Sequence, residues 1–281
     1  MHLWLSRLAA LPAATVITLT AACTVPSEEH RASGEVFDPY ENVNRKVHAF
    51  NIGVDKVIYR PAAKGYVFIL PDEIRTSIGY FADNMSKPTD VVDFLAQGRI
   101  KEAVITVGRF LMNTTIGFGG LADPATEFGI PDLDTDFGEV LYTWGFDEGA
   151  YIELPFFGPS TERDSVGLAV DVFTNPLGYL EYGSNFQNLR YGSYILDRLN
   201  DRGTYSETID TVLYESADSY AQARIIFLQN RRFELAGEGG DPYVDAYADP
   251  YADPYEDAYA DPYADPYADI FDDPEATADR F

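Results

Sequence analysis

One cysteine and three histidines are all that a chain of 281 residues offers for thiol or imidazole chemistry. A single cysteine, Cys23, excludes an intramolecular disulfide. Beyond His2 only His30 and His48 remain, too little material for a nucleophile triad or a histidine-rich metal centre. His48, alone on an amphipathic stretch, is expected at a helix surface or boundary. Basic residues are scarce as well: 20 Lys and Arg stand against 46 Asp and Glu, a formal charge of −26. That balance excludes nucleic acid as a partner, because phosphate backbones need clustered cations. No apolar run reaches the roughly 20 residues that a membrane-spanning helix needs. The longest, Leu8 to Ala22, is interrupted by Pro12.

That run reads instead as the core of an export signal over residues 1–22, with Arg7 ahead of it and the small residues Ala21 and Ala22 at its end. Their position before Cys23 resembles the lipobox of bacterial lipoproteins, which makes Cys23 the candidate lipidation site. Thr20 stands where the lipobox usually has Leu, and Leu19 lies one residue further back. The alternative is an ordinary cleavage site with a free thiol. Residues 23–36, including Ser27, Glu28, Glu29, His30, Arg31 and Gly34, suit a polar tether between an anchor and a folded unit. Residues 37–235, about 200 in all, are enough for one domain with its own core.

Most of that domain has helical periodicity. From Asn44 to Tyr59, the residues Val47, Phe50, Val54, Val57 and Ile58 fall on one face, and Pro61 is expected to end the helix. A second helix opens at Pro71-Asp72 with Ile74, Ile78 and Phe81 on one side, and a third begins near Thr89 and stops at Gly98. From Arg99 to Asn113 two stripes oppose each other. Ile100, Ala103, Val104, Val107 and Leu111 form one; Glu102, Thr106, Arg109 and Asn113 form the other. The polar stripe is either an ordinary solvent face or a seam lining a passage.

Between Thr114 and Gly203 glycines and prolines recur, so the reading is a turn-rich region with at most short strands. Tyr151 to Phe157 suits a hairpin packed on the core or a segment dipping among lipid headgroups, and core packing is the expectation. A last helix is expected from about Ser206 to Phe233, with Ile209, Val212, Leu213, Tyr220 and Phe227 inward. Residues 236–281 form a low-complexity tail in which Asp recurs every fourth residue from Asp241 to Asp273, usually followed by Tyr. Pro242, Pro250, Pro254, Pro262 and Pro266 oppose a helix there, so the tail reads as disordered. It is either a solvated spacer or a loose binder of divalent cations or of a basic partner.

Three short strings imitate known motifs without completing them. Asp132-Leu133-Asp134-Thr135-Asp136 opens like a calcium-binding loop, but Phe137 holds the glycine position and Thr143 the closing Glu position. Asp136-Phe137-Gly138 spells a kinase magnesium motif with no accompanying catalytic loop. Gly117-Phe118-Gly119-Gly120 lacks both the last glycine of a dinucleotide loop and a Walker lysine. No metal, nucleotide or other cofactor is implied.

Several strings stand in a fixed order along the domain. The first is Asp38-Pro39-Tyr40-Glu41-Asn42-Val43-Asn44-Arg45, followed by Phe50-Asn51, Asp55 and Tyr59-Arg60-Pro61. Gly108 to Gly117, which includes Asn113, is the strongest, continuing through Gly120 to Ala125. Asp136-Phe137-Gly138, Leu154 to Ser160 with Gly158-Pro159, and Arg163-Asp164 complete the series. Together these strings resemble the MlaA (VacJ) family of outer-membrane lipoproteins. Asp93, Val140 and Ala150 depart from residues common in the family. The resemblance implies a mainly α, ring-like domain with amphipathic interfacial helices, anchored in the inner leaflet of the outer membrane and facing the periplasm. It also implies association with trimeric porins, and removal of misplaced phospholipid from the outer leaflet toward a periplasmic carrier by partition, without covalent chemistry. On that reading Glu102, Thr106, Arg109 and Asn113 line part of a lipid passage with Arg109 meeting the phosphate; a buried pairing of Arg109 with an acid is the structural alternative. Rival functions are a lipid hydrolase using carboxylates such as Asp136 and Asp164, and a structural or adhesive lipoprotein with a cation-binding tail.

Overall fold

The first helix, α1 (Glu41–Val54), does not stop at Pro61. It widens into a π turn over Asp55–Tyr59 and continues as α2 (Arg60–Ile69). Within the turn the Arg60 amide reaches back to the Asp55 carbonyl. The wider turn stands directly ahead of Pro61, whose ring has no amide to give and would crowd the preceding carbonyl in a regular α-helix. The computed structural model describes residues 24–27, 37–179 and 184–236. The signal segment, Cys23, residues 28–36 of the tether and the tail from Gly237 lie outside the described residues.

The second and third expected helices are one: α3 (Asp72–Ala96) runs through Pro88. It ends where Gly98 takes a φ of 78°, which lets the Gly98 and Arg99 amides close back on the Leu95 and Phe94 carbonyls. After it come α4 (Ile100–Thr115), the short α5 (Pro124–Glu127) and α6 (Phe137–Thr143). An antiparallel hairpin, β1 (Tyr151–Leu154) and β2 (Gly158–Thr161), follows with Tyr151 opposite Thr161. Three polar residues start helices by accepting a backbone amide: Asp123 for α5, Asp136 for α6, and Thr161 for α7 (Glu162–Thr174).

The turn-rich reading of residues 114–203 therefore needs correction, because α7 and the 21-residue α8 (Ser184–Thr204) occupy much of it. The expected last helix is also divided. α9 (Ser206–Asp210) passes into a π turn (Thr211–Glu215), the chain extends at Ser216, and α10 (Ser219–Ala236) begins anew. Asp218 starts α10 by accepting the Ala221 amide at 3.0 Å.

Packing order closes on itself. α3 lies between α4 and α8; α8 packs on α2; α2 leads through the π turn to α1; and α1 lies against β1. The hairpin packs on α7, α7 on α6, and α6 returns to α3, while α10 covers β2 and the second π turn. Two of the helix-to-helix approaches rest on glycine. A Cβ on Gly167 would sit 2.3 Å from the Gly138 nitrogen, and one on Gly203 would sit 2.3 Å from a Val67 methyl.

On α1 and α4 the apolar faces point outward and the polar ones inward, so the α4 stripe is a buried seam and not a solvent face. On α1 and the π turn, Phe50, Val57 and Ile58 are exposed, Val57 by 74%, while Asn44, His48 and Asp55 are buried. On α4, Val104 is 65% exposed and Ile100 and Leu111 are also outside, whereas Thr106, Arg109 and Asn113 are buried. Phe156 and Phe157, expected in the core, project from the hairpin turn, and Phe50 meets Phe156 edge-on at 5.2 Å. Of the residues expected inward on the last helix, Tyr220 is buried and Ile209, Val212, Leu213 and Phe227 are half-buried. Exposed apolar faces of this size are uncommon in water and mark surfaces that meet a membrane or another protein.

The α6–α7 crossing gives a direct test. Gly167→Ala forces the two backbones apart and is expected to cost about 1–3 kcal/mol. Thermal unfolding in detergent, followed by far-UV dichroism, should report a lower Tm for it than for Gly192→Ala, where an added methyl meets nothing within 4 Å.

Candidate functional site

α1 presents four polar residues at helical spacing, Asn44, His48, Asn51 and Asp55, on the face opposite its apolar residues. The two asparagines dock the hairpin. Asn44 donates to the Tyr151 carbonyl at 3.0 Å and accepts the Glu153 amide at 3.0 Å. Two turns later Asn51 donates to the Leu154 carbonyl at 3.0 Å and accepts the Phe156 amide at 2.8 Å. Each amide side chain thus satisfies strand backbone groups as a neighbouring strand would. Asn51 also holds Phe156 in a left-handed conformation, φ 67°, that costs a non-glycine residue energy. His48 lies between them, buried and not at a boundary as expected, with Nδ1 3.2 Å from Glu153 and Nε2 3.1 Å from Ser219.

The same face continues into a charged knot. Asp55 accepts both Nε and Nη2 of Arg202 at 2.8 Å and the Tyr214 hydroxyl at 2.6 Å. Arg202 also reaches Asp210 at 2.7 Å, and Asp210 takes Arg60 at 2.5 Å. Hydrogen bonds from Arg60, followed by those from Arg202, hold the Asp210 carboxyl well below the usual carboxylate range. Arg45 clamps Asp218 at 3.0 and 2.8 Å. At the chain's start, Asp38 receives Arg224 at 2.5 Å together with the Tyr220 hydroxyl.

Between α1, the hairpin, α8 and the second π turn lies a cavity of about 500 Å³, within the range of small-ligand sites. Its lining is mostly apolar: Ile52, Val54, Ile58, Phe156, Phe157 and Leu213. His48, Asp55 and Glu153 add polar groups from the hairpin seam and the knot, and Tyr59, Tyr194 and Arg198 add others.

The α4 stripe is placed elsewhere. Arg109, 2% exposed, gives Nη2 to Asp123 at 2.6 Å and to Asp132 at 3.1 Å, and Nη1 to the Ile130 carbonyl at 3.0 Å. Asn113 donates to Asp123 at 2.9 Å and accepts the Ala125 amide at 3.1 Å. Thr106 bonds the Glu102 carbonyl at 2.9 Å, and Glu102 lies 3.6 Å from Arg99. None of the four lines the cavity. Arg109 and Asn113 pin the loop after α4, and Gly117 is needed there because a Cβ would lie 2.3 Å from the Ala122 carbonyl oxygen.

Lys87 repeats this inward charge on α3. Its ammonium lies 2.9 Å from Asp83, 2.8 Å from Asp132 and 2.6 Å from Asp134, whose carboxylates are grouped closely enough to hold an ion. Burial favours the neutral amine, but Asp83 and the other carboxylates outweigh it and raise the pKa. The lysine is therefore the cation of this cluster. Asp136 and Asp164, the carboxylates of the hydrolase rival, do meet, but around Arg231 Nη2 at 2.7 and 3.1 Å. Arg163 is buried beside them, over the Tyr142 ring at 5.3 Å. Gly138 is required where it is, because its Cβ would lie 2.5 Å from Asp164 Oδ1. Gly158, with φ 84°, lets the hairpin turn close into β2, and Pro159 lines the cavity. Lys87, Glu153, Arg202, Arg224 and Arg231 were absent from the sequence reading.

The MlaA lipoprotein family model matches residues 36–234. The chain belongs to the MlaA family. The Escherichia coli relative named "Intermembrane phospholipid transport system lipoprotein MlaA" is 29% identical over 240 residues, covering 84% of this chain and 90% of its own. The Haemophilus influenzae MlaA of the same name is 30% identical, over 70% of this chain and 79% of its own. An uncharacterized Rickettsia felis protein is 37% identical over 68% and 74% respectively. A solved structure described as "Structural basis for maintenance of bacterial outer membrane lipid asymmetry" superposes with a TM-score of 0.61 at 27% identity, covering 71% of this chain and all of that one. The mainly helical architecture is thus that of MlaA.

Asp93 is fully buried, and burial followed by the charges of Asp171 and Asp90 raises its pKa far above the carboxylate range. Burial also raises Asp90, to about 7. Because the folded state holds these protons more tightly than the unfolded chain, stability falls as the pH rises from about 4 through the folded pKa values. Asp93→Asn removes one such ionisation. It should raise stability at pH 8 by on the order of 1 kcal/mol and flatten the decline in Tm between pH 5 and 8. A variant less stable than wild type at pH 8 would contradict this.

Proposed function

We propose that this protein is the outer-membrane lipoprotein of an intermembrane phospholipid transport system, removing misplaced phospholipids from the outer leaflet toward a periplasmic carrier. One observation carries the reading: the apolar faces of α1 and α4 are turned outward while their polar faces are buried. A ring of elements with that patterning is solvated by acyl chains on its outside and offers lipid an interior path. No helix among the described residues is long and apolar enough to cross a membrane, which suits a protein set into a single leaflet.

Membrane attachment on this reading is through acylated Cys23. Thr24, the next residue, bonds Glu162 through its amide at 2.5 Å and its hydroxyl at 2.8 Å, and Pro26 is buried. An anchor at Cys23 would then begin at the hairpin end of the domain. Trimeric porins are the proposed neighbours in the membrane, with the exposed aromatic and aliphatic faces as contact surface. Lipid moves by partition and no covalent step is assigned, since Asp136 and Asp164 are both engaged by Arg231. The stripe of Glu102, Thr106, Arg109 and Asn113 serves the passage as a brace for its wall.

Cells lacking the protein should expose more phospholipid to an enzyme that modifies only surface-accessible lipid, and re-expression should reverse it. Removal of residues 237–281 should leave clearance intact. Unchanged exposure in the deletion strain, with no redundant system, would favour the structural or adhesive role; release of hydrolysis products from labelled lipid by the purified protein would favour the enzyme.

A further inference from the structure

The fold consumes nearly all the hydrogen-bonding capacity of the cavity's polar lining. Asp55 is taken by Arg202 and Tyr214, and Glu153 by His48, Asn51 and the Tyr151 hydroxyl at 2.5 Å. The other His48 nitrogen faces Ser219, and Asn51 is spent on the hairpin backbone. The α8 side differs. Arg198 gives Nε and Nη2 to a single neutral acceptor, the Tyr194 hydroxyl, at 3.2 and 3.1 Å, and lies over the same ring at 5.3 Å. No carboxylate among the described residues comes within 4.0 Å of it; Asp197 and Asp201 act on it only from further away. Arg60, Arg202, Arg224 and Arg231, by contrast, each hold a carboxylate at 2.8 Å or closer. Tyr59, also in the lining, is near enough for the Arg198 charge to act on its phenol, and its hydroxyl has no hydrogen-bond partner among the described residues.

A guanidinium with spare donors at the edge of an apolar cavity is complementary to an amphiphile with an anionic head. We infer that Arg198, with the hydroxyls of Tyr194 and Tyr59, binds the phosphate of a glycerophospholipid, one acyl chain of which enters the cavity beside Ile58, Ile195 and Leu213. This assignment rests on the lipid-transport reading and gives that reading its headgroup contact. The phosphate is held by at least two guanidinium donors, and the phenols add neutral ones. Recognition is of the phosphate that all glycerophospholipids share, so the site discriminates phospholipid from uncharged lipid more strongly than one headgroup from another.

Binding of three probes to the purified full chain in detergent tests it: phosphatidylglycerol, diacylglycerol with the same chains, and inorganic phosphate. Wild type should bind phosphatidylglycerol more tightly than diacylglycerol. Arg198→Gln should weaken phosphatidylglycerol binding about tenfold or more, the loss of a charge-assisted contact, and leave diacylglycerol unchanged. Arg198→Lys should recover part of the loss, which also establishes that the site remains folded. Arg198→Gln binding phosphatidylglycerol as wild type does would overturn the assignment and leave the lipid reading standing. Wild type binding neither lipid would remove the lipid reading beneath it. Phosphate binding as tightly as phosphatidylglycerol would make this a free-anion site instead.

Discussion

A guanidinium or ammonium taken out of water costs several kcal/mol, roughly, unless carboxylates surround it, and this protein is assembled around such pairs. Arg202 joins α8 to the turn after α1 through Asp55 and to α9 through Asp210. Lys87 and Arg109 share Asp132 and so draw α3 and α4 to one loop. Arg231 ties α10 to the starts of α6 and α7. Against these, the buried apolar cluster is small: Tyr151, Tyr220 and Leu228, with Phe227 against it. In water such a balance would be a poor one, because the hydrophobic term is the main favourable contribution to folding. Among acyl chains outward apolar faces cost nothing, and paired charges must be inside.

The inward charges also shape what can be bound. Because the seam asparagines, the Asp55 knot and the His48–Glu153 contact are internally satisfied, the cavity between them presents mainly hydrocarbon and aromatic surface. The hairpin tip with Phe156 closes one side, held in place by Asn51 from α1 and by the edge of Phe50. A single seam therefore both builds the wall and fixes the aromatic group at its border. The same residues that the family resemblance picked out as motif, Asn44, Asn51, Asp55 and Arg60, act as framework here.

Helices were legible in the sequence to the extent that periodicity reports a face. The α4 stripes, for example, are both present, except that Ala103, drawn with the apolar residues, is buried with the polar ones. What periodicity does not carry is the identity of the solvent, so the α4 stripe could be read as a solvent face or as a buried seam, and the structure buries it. The spacing of Asn44, His48, Asn51 and Asp55 held the missing signal: a polar face that regular, on a helix whose apolar face is equally regular, fits a buried seam as well as a wet surface. Pro61 reads as a stop because a local rule gives it that meaning, and the second and third helices were drawn apart at Thr89, whereas a π turn leads the first helix past Pro61 and α3 runs unbroken through Pro88. α8 was hidden by its glycines, of which Gly203 serves close packing on α2 and not chain reversal. The α8 and α10 arginines could not be found from local pattern, since the carboxylates they bridge lie on other elements, whereas Asp83, four residues before Lys87 on α3, was a local sign of that lysine's pairing.

The inversion itself is the claim on which the rest stands, and Val104, exposed on α4 opposite Arg109, is the place to measure it. With Trp144 replaced by Phe and the leader removed, Val104→Trp becomes the only tryptophan. In phospholipid vesicles its fluorescence should be quenched by lipids brominated on the acyl chains and protected from acrylamide in the aqueous phase. Efficient quenching by acrylamide, with none by brominated chains, would mean that this face meets water and would contradict the account.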